Sequence, residues 1–220
     1  VPVPPDRNVV IAPLSMSELL TRYDTTTPLP NGTHGGYARS AQWINQYRER
    51  RMKTIKDSVH DHIEIDGVAL ELLDTPPVQR LRRIKQLGTV DLVYPSANHT
   101  RFEHSLGVYK LACDAIHQLN IRGESATHLR AAALLHDIGH TPYSHNIEPI
   151  VTRQTGEYHD DVASLLKTTP IIHVLNDHDL DPTRIAGLIS GDGQYGQLLA
   201  GDLDVDRMDY LVRDAHHTGV

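Results

Sequence analysis

Apolar residues recur along most of this chain at helical spacing, and only once at the spacing of a strand. Val59, Asp61, Ile63 and Ile65 alternate with His60, His62 and Glu64, which predicts a short strand closed by a turn at Asp66-Gly67. Beyond it the period lengthens. Asp74 reads as the N-cap of a helix with Pro76 and Pro77 in its first turn and a stop at Gly88. Phe102, Leu106, Tyr109 and Cys113 mark a long helix over about 99–119, and Ser125 caps a third that ends in the apolar run 131–135. Further helices are expected over about 158–168, 182–190 and 202–217. The fold class is therefore all-α, a helical bundle with a short strand or hairpin near its N-terminal side.

Residues 1–51 read differently. They hold six of the thirteen prolines and the single Trp43, with short helical patterns over 15–23 and 40–51 separated by Pro- and Gly-rich sequence. We read them as an N-terminal extension or fused segment, with the main domain over residues 52–220. No apolar stretch approaches the roughly 18 residues that span a bilayer, and the start lacks a signal-peptide layout. The single cysteine, Cys113, excludes an internal disulfide and fits a reducing compartment, so a cytoplasmic location is the default.

The net charge of −7 argues against a broad nucleic-acid surface. Up to residue 51 there are six basic and four acidic groups; beyond it there are fifteen basic and twenty-four acidic ones. Fifteen histidines change the picture, because imidazole is both a metal ligand and a proton carrier near neutral pH.

Three short stretches concentrate that chemistry. The run 131–135 delivers His136 and Asp137, with His140 and His145 close behind. A carboxylate and imidazoles beside so apolar a helix are costly to bury without compensation. Taken alone, a histidine at a helix end and a capping aspartate are the better account of the pair. Arg101 and His104 lie three apart on one helical face. Asp206, Tyr210, Arg213 and Asp214 form one stripe of the last helix, charged where a buried stripe is ordinarily apolar. A solvated polar face is the ordinary outcome for such a run.

The order of one His, then His-Asp, then a late Asp resembles the HD-domain metal-dependent phosphohydrolases. The longer runs 74–76, 79–82, 84–88, 98–108 and 136–145 are similar to the deoxynucleoside triphosphate triphosphohydrolases among them, the group of the mammalian sterile-alpha-motif and HD-domain enzyme. The likeness extends over residues 53–220 and implies an HD-domain helical bundle. Relative to the family, the end at Val220 reads as a fragment or a shortened version.

The resemblance implies a set of roles. His104, His136, Asp137 and Asp206 match the metal ligands, and a mixed nitrogen and oxygen set suits Fe, Mn, Zn or Ni, with Mg also open. His145 with Glu148, and His159 with Asp160, match the histidine–carboxylate pairs beside the scissile phosphate, His145 being the expected proton donor. The family commonly has the opposite carboxylate at positions 148 and 160, which shifts reach by one methylene. His140 is expected in the surroundings of the metal or simply at a helix end. Arg101 and Arg207 match cations on the triphosphate, while Gln86, Leu87, Tyr210 and Asp214 match the deoxyribose pocket. Asp74, Gln79 and Arg82 match an allosteric guanine-nucleotide site between subunits, which also implies a homo-oligomer. Helix capping by Asp74 and surface pairing by Arg82 explain the same residues without a nucleotide.

The expected activity is metal-dependent hydrolysis of a deoxynucleoside triphosphate to deoxynucleoside and inorganic triphosphate. The alternatives are an HD phosphohydrolase acting on a nucleoside monophosphate or cyclic nucleotide, and a catalytically silent module that binds nucleotides or nucleic acid.

Overall fold

The computed structural model describes residues 52–156, 162–168 and 170–220. The expected extension and its helices, and the start of the helix expected from 158, lie outside these residues. Strand β1 (Met52–Asp57) pairs antiparallel with β2 (Asp61–Asp66), with Ile55 opposite Ile63. The alternation of β2 buries Ile63 and Ile65 and exposes His62 and Glu64, as one half-buried strand should. Strand β1 is largely exposed on both faces, so its sequence carries no alternation to read. Asp57 closes the turn between them, its Oδ1 accepting from the backbone N–H groups of Val59 and His60 at 3.0 and 2.9 Å.

The expected turn at Asp66-Gly67 leads straight into helix α1 (Gly67–Leu73), Gly67 supplying the positive φ of 53° that redirects the chain. Helix α2 (Pro76–Arg80) is capped at Thr75, which is extended; Asp74 instead closes α1. The helix does not reach Gly88. After a 3₁₀ turn at Leu81–Arg83 the chain becomes extended at Ile84, and Lys85 bridges Thr100. The backbone N–H of Gln86 donates to the His99 carbonyl at 3.0 Å, and that of Arg101 to the Ile84 carbonyl at 2.9 Å. Tertiary pairing here overrides helical propensity, and it sets Gln86 beside Arg101.

Helix α3 (Arg101–Gln118) opens with a reciprocal cap, in which the Thr100 hydroxyl accepts from the Glu103 N–H and the Glu103 carboxylate from the Thr100 N–H. Helix α4 (Glu124–Leu135) starts after Gly123 rather than at Ser125. Its Leu129 and residues 131–135 are fully buried, because α1, α3 and α8 all pack on it. Small alanines let those neighbours approach closely. Helices α5 (Glu148–Thr155), α6 (Ala163–Thr168), α7 (Ile171–Asp177), α8 (Pro182–Ile189) and α9 (Val205–Thr218) complete the described bundle. Asp181 and Asp204 cap α8 and α9 through side-chain oxygens.

Helix α9 lies against α3 with its charged face inward. Asp209 and Arg213 are fully buried while Met208, Leu211 and Val212 are exposed. The partner helix makes room for this with Gly107, where a Cβ would collide with the Asp209 carboxylate and crowd the Arg213 guanidinium. Gly107→Ala is therefore expected to cost about 3 kcal/mol, as overpacking of a filled interior does. Urea unfolding of the two proteins measures it, and an unchanged midpoint would contradict this packing.

Candidate metal centre

His104 projects from the first turns of α3, Asp206 from the first turn of α9, and His136 and Asp137 follow directly on α4. The buried end of α4 thus meets the beginnings of two other helices. The Nε2 atoms of His104 and His136 are 3.2 Å apart, and Asp206 Oδ1 is 2.9 Å from the first and 3.8 Å from the second. Asp137 approaches with Oδ1 3.5 Å from His136 Nε2 and Oδ2 3.9 Å from His104 Nε2. Donors sharing one ion at bonds of about 2.1 Å stand about 3 Å apart, and the spacings of 3.2, 3.5 and 3.9 Å among His104, His136 and Asp137 come close to that.

The hydrogen bonds at the far side of each ring settle which nitrogen faces inward. His136 Nδ1 lies 2.8 Å from the Ala133 carbonyl, which only accepts, so Nδ1 carries the proton and Nε2 the lone pair. His104 Nδ1 lies 2.8 Å from Asp209 Oδ2, so its Nδ1 proton likewise points away from the cluster and Nε2 faces it. Two Nε2 atoms 3.2 Å apart beside two carboxylates make a place that a cation would satisfy. His104, His136 and Asp137 offer donor atoms within 4.8 Å of one another, a set that would suit a divalent transition metal, and Asp206 stands 2.9 Å from His104 Nε2.

The electrostatics agree. Burial works against charge on His104, yet hydrogen bonds to Asp206 and Asp209 and the field of Asp137 outweigh it and push its pKa up to about 10. Burial also opposes charge on Asp137, but the fields of His136, Arg101, His104 and His140 hold its carboxyl well below the usual range. Asp206 is lowered likewise, its burial outweighed by the His104 hydrogen bond and by His136. The site attracts positive charge of whatever kind is offered.

The cluster opens on a cavity of about 400 Å³ that Gln86, Arg101, His140, His145 and Tyr210 also line. Arg101 is almost wholly buried and donates to Asp137 Oδ2 at 2.8 Å, so its cation already serves the carboxylate. His140 Nε2 is 3.4 Å from Asp137 Oδ1, and its ring meets His145 edge-on with centroids 5.0 Å apart. His145 is exposed, its Nδ1 2.9 Å from Glu148 Oε2. Leu87, Arg207 and Asp214 do not line the cavity. Arg207 is exposed and donates to the Asp202 carbonyl at 2.9 Å, and Asp214 accepts from His99 Nε2 at 2.8 Å. His159 and Asp160 lie outside the described residues.

Asp74, Gln79 and Arg82 stand on the hairpin side. Asp74 pairs with Lys53 at 3.2 Å, Gln79 donates to the Leu73 carbonyl and accepts from Arg82, and the Arg82 guanidinium sits 3.6 Å over the Phe102 ring. All three have local partners.

Sequence reasoning missed Asp209, Asp57 and His60. Asp209 accepts from Arg213 as well as His104, His60 Nε2 lies 2.6 Å from its other oxygen, and Arg213 binds Asp57 through both terminal nitrogens. The available signal was the spacing of four between Asp209 and Arg213 on the same stripe as Asp206.

The HD domain family model matches residues 101–214. Uncharacterized protein MJ1154 of Methanocaldococcus jannaschii is 43% identical over 168 residues, covering 76% of this chain and 34% of that protein. The Dictyostelium discoideum deoxynucleoside triphosphate triphosphohydrolase SAMHD1 homolog is 36% identical over 188 residues, covering 76% and 37%. Human deoxynucleoside triphosphate triphosphohydrolase SAMHD1 is 32% identical over 221 residues, covering 81% and 35%. The crystal structure of a hypothetical protein from Aquifex aeolicus superposes with a TM-score of 0.70 at 34% identity, covering 77% of this chain and 47% of that one. The chain spans about a third of the length of these curated relatives.

Asp57 gives a pH test of the buried network. Burial opposes its charge, but Arg213 and the turn N–H groups overcome this and hold its carboxyl low. A lowered folded value means that its stabilisation is complete above about pH 4 and is lost as pH falls through that folded value. Asp57→Asn should therefore cost most stability at neutral pH and progressively less toward pH 3, read as urea midpoints. A cost that does not change with pH would contradict the pairing.

Proposed function

This chain belongs to the HD-domain family, and from that footing we propose that it is a metal-dependent phosphohydrolase that splits deoxynucleoside triphosphates into deoxynucleoside and inorganic triphosphate. The observation that carries this reading is the convergence of His104, His136, Asp137 and Asp206 on the wall of a cavity of about 400 Å³ that also holds Gln86, Tyr210 and His145. The names of the Dictyostelium and human relatives support the substrate class.

A divalent metal held by His104, His136 and Asp137 together with Asp206 would supply Lewis acidity toward phosphate oxygens and would lower the pKa of attacking water. The remaining work falls to the chain's own groups. Water attacks the α-phosphorus, the bond from phosphorus to the 5′-oxygen breaks, and that oxygen leaves needing a proton. His145 gives it through Nε2, since Nδ1 is engaged by Glu148 at 2.9 Å. His159 with Asp160 is assigned as the second such pair. Arg101 carries positive charge to the cavity wall, and the exposed Arg207, next to Asp206 in the first turn of α9, adds a second cation for the triphosphate tail. Tyr210 and Gln86 flank the sugar, where a close-packed ring leaves no room for a 2′-hydroxyl; Leu87 and Asp214 are assigned to the same subsite. A guanine nucleotide at Asp74, Gln79 and Arg82 would have to displace the Lys53 pair and the Phe102 stack, so regulation and self-association belong to this proposal as separate steps.

The test is incubation of metal-loaded protein with each deoxynucleoside triphosphate, a ribonucleoside triphosphate and a deoxynucleoside monophosphate, followed by phosphorus NMR. Tripolyphosphate should form from the deoxy triphosphates and stop on chelation. His145→Ala should lower kcat by about 10² to 10⁴, the usual share of a general acid. No tripolyphosphate under Mn²⁺ or Fe²⁺, or release of pyrophosphate in its place, would overturn the reading.

A further inference from the structure

Asp209 is fully buried and every direction open to its carboxylate is taken. Oδ2 accepts from His104 Nδ1 and Arg213 Nε, both at 2.8 Å. Oδ1 accepts from His60 Nε2 at 2.6 Å and Arg213 Nη2 at 3.1 Å. A carboxylate engaged in this way has no freedom to rotate, and it can only accept. His104 must therefore keep its proton on Nδ1 and present Nε2 to the donor cluster. Asp206 and Asp209, three residues apart on α9, hold the same imidazole from its two nitrogens at 2.9 and 2.8 Å.

The support for Asp209 comes from the far end of the described chain. His60 sits in the β1–β2 turn, 149 residues away in sequence. Arg213 is gripped by Asp57, at 2.9 Å through Nη1 and 3.1 Å through Nη2, and Asp57 also closes that turn. One short turn thus fixes both partners that orient the carboxylate. A side chain on Gly107 opposite would collide with Asp209 Oδ1, so the carboxylate is packed directly against α3.

We propose that Asp209 is the positioning residue for the metal ligand His104, and that the β1–β2 turn, through His60 and Asp57, is a built-in part of the metal centre rather than a surface decoration. The inference rests on the metal-centre reading above. Partners behind a ligating histidine fix its tautomer, aim its lone pair and strengthen it as a donor. His60 acts one step further out and touches neither substrate nor metal donors.

Co²⁺ affinity, measured by chelator competition, and the visible spectrum of the Co²⁺-loaded protein report the ligand field directly and need no turnover. Asp209→Asn should bind Co²⁺ about 100-fold more weakly and His60→Ala about tenfold, the range that such outer partners contribute. Both spectra should shift from that of the parent. His60→Gln, whose amide N–H can still donate to Asp209, should return to within about threefold of the parent. Glu64→Gln, exposed on β2, should leave affinity and spectrum unchanged. Should Asp209→Asn fail to fold, His60→Ala and its Gln rescue carry the test. A parent that binds Co²⁺ while both variants match it in affinity and spectrum, losing only thermal stability, would overturn the positioning role and leave the metal centre standing. A parent that takes up no Co²⁺ would overturn both.

Discussion

The buried carboxylate of Asp209 ties helix α9 to helix α3 and to the β1–β2 turn. An isolated charge in an apolar interior is not tolerated, and here Arg213 and two imidazoles answer it at hydrogen-bonding distance. That requirement turns α9 inside out, its charges inward and Met208, Leu211 and Val212 outward. It demands a glycine at position 107 on the facing helix and draws the hairpin turn onto the bundle. It also puts a fixed negative group behind His104. Packing, charge compensation and ligand orientation are here one arrangement seen at three scales.

The site divides by depth. Around His104 the groups are buried and mutually saturated, as a rigid support for an ion should be. Toward the cavity mouth the groups are more exposed, with His145 on the segment leading into α5 and Glu148 at its first position. Arg101 belongs to both zones, for it lines the cavity and also neutralises Asp137. Removing Arg101 would therefore disturb the ligand as well as any phosphate it meets.

Much of this was legible in the sequence, for specific reasons. The helical spacing of Phe102, Leu106, Tyr109 and Cys113 marked α3 to within two residues of its start. The ligand set expected from the resemblance included His104, His136 and Asp137, whose donor atoms the fold gathers within 4.8 Å of one another, with Asp206 next to His104. The helix expected to reach Gly88 was cut short because pairing of 84–86 with 99–101 is non-local, and no local pattern reports it. Asp74 looked like a cap, yet Thr75 holds the capping position, one residue on. Asp209 escaped notice because a charged helical stripe is usually solvated; only the glycine on the facing helix and the distant hairpin reveal that this one is buried. The segment holding His159 and Asp160 lies outside the described residues.

The central claim is that two imidazoles and two carboxylates from three separate helices form one coordination shell. X-ray absorption at the K-edge of the bound metal, on protein loaded with one equivalent of Mn²⁺ or Fe²⁺, tests it most directly. The account predicts a first shell of nitrogen and oxygen near 2.1 Å with the multiple scattering of about two imidazoles, reduced to about one in His136→Ala. A shell of oxygen alone, or an imidazole count indifferent to loss of His136, would contradict it.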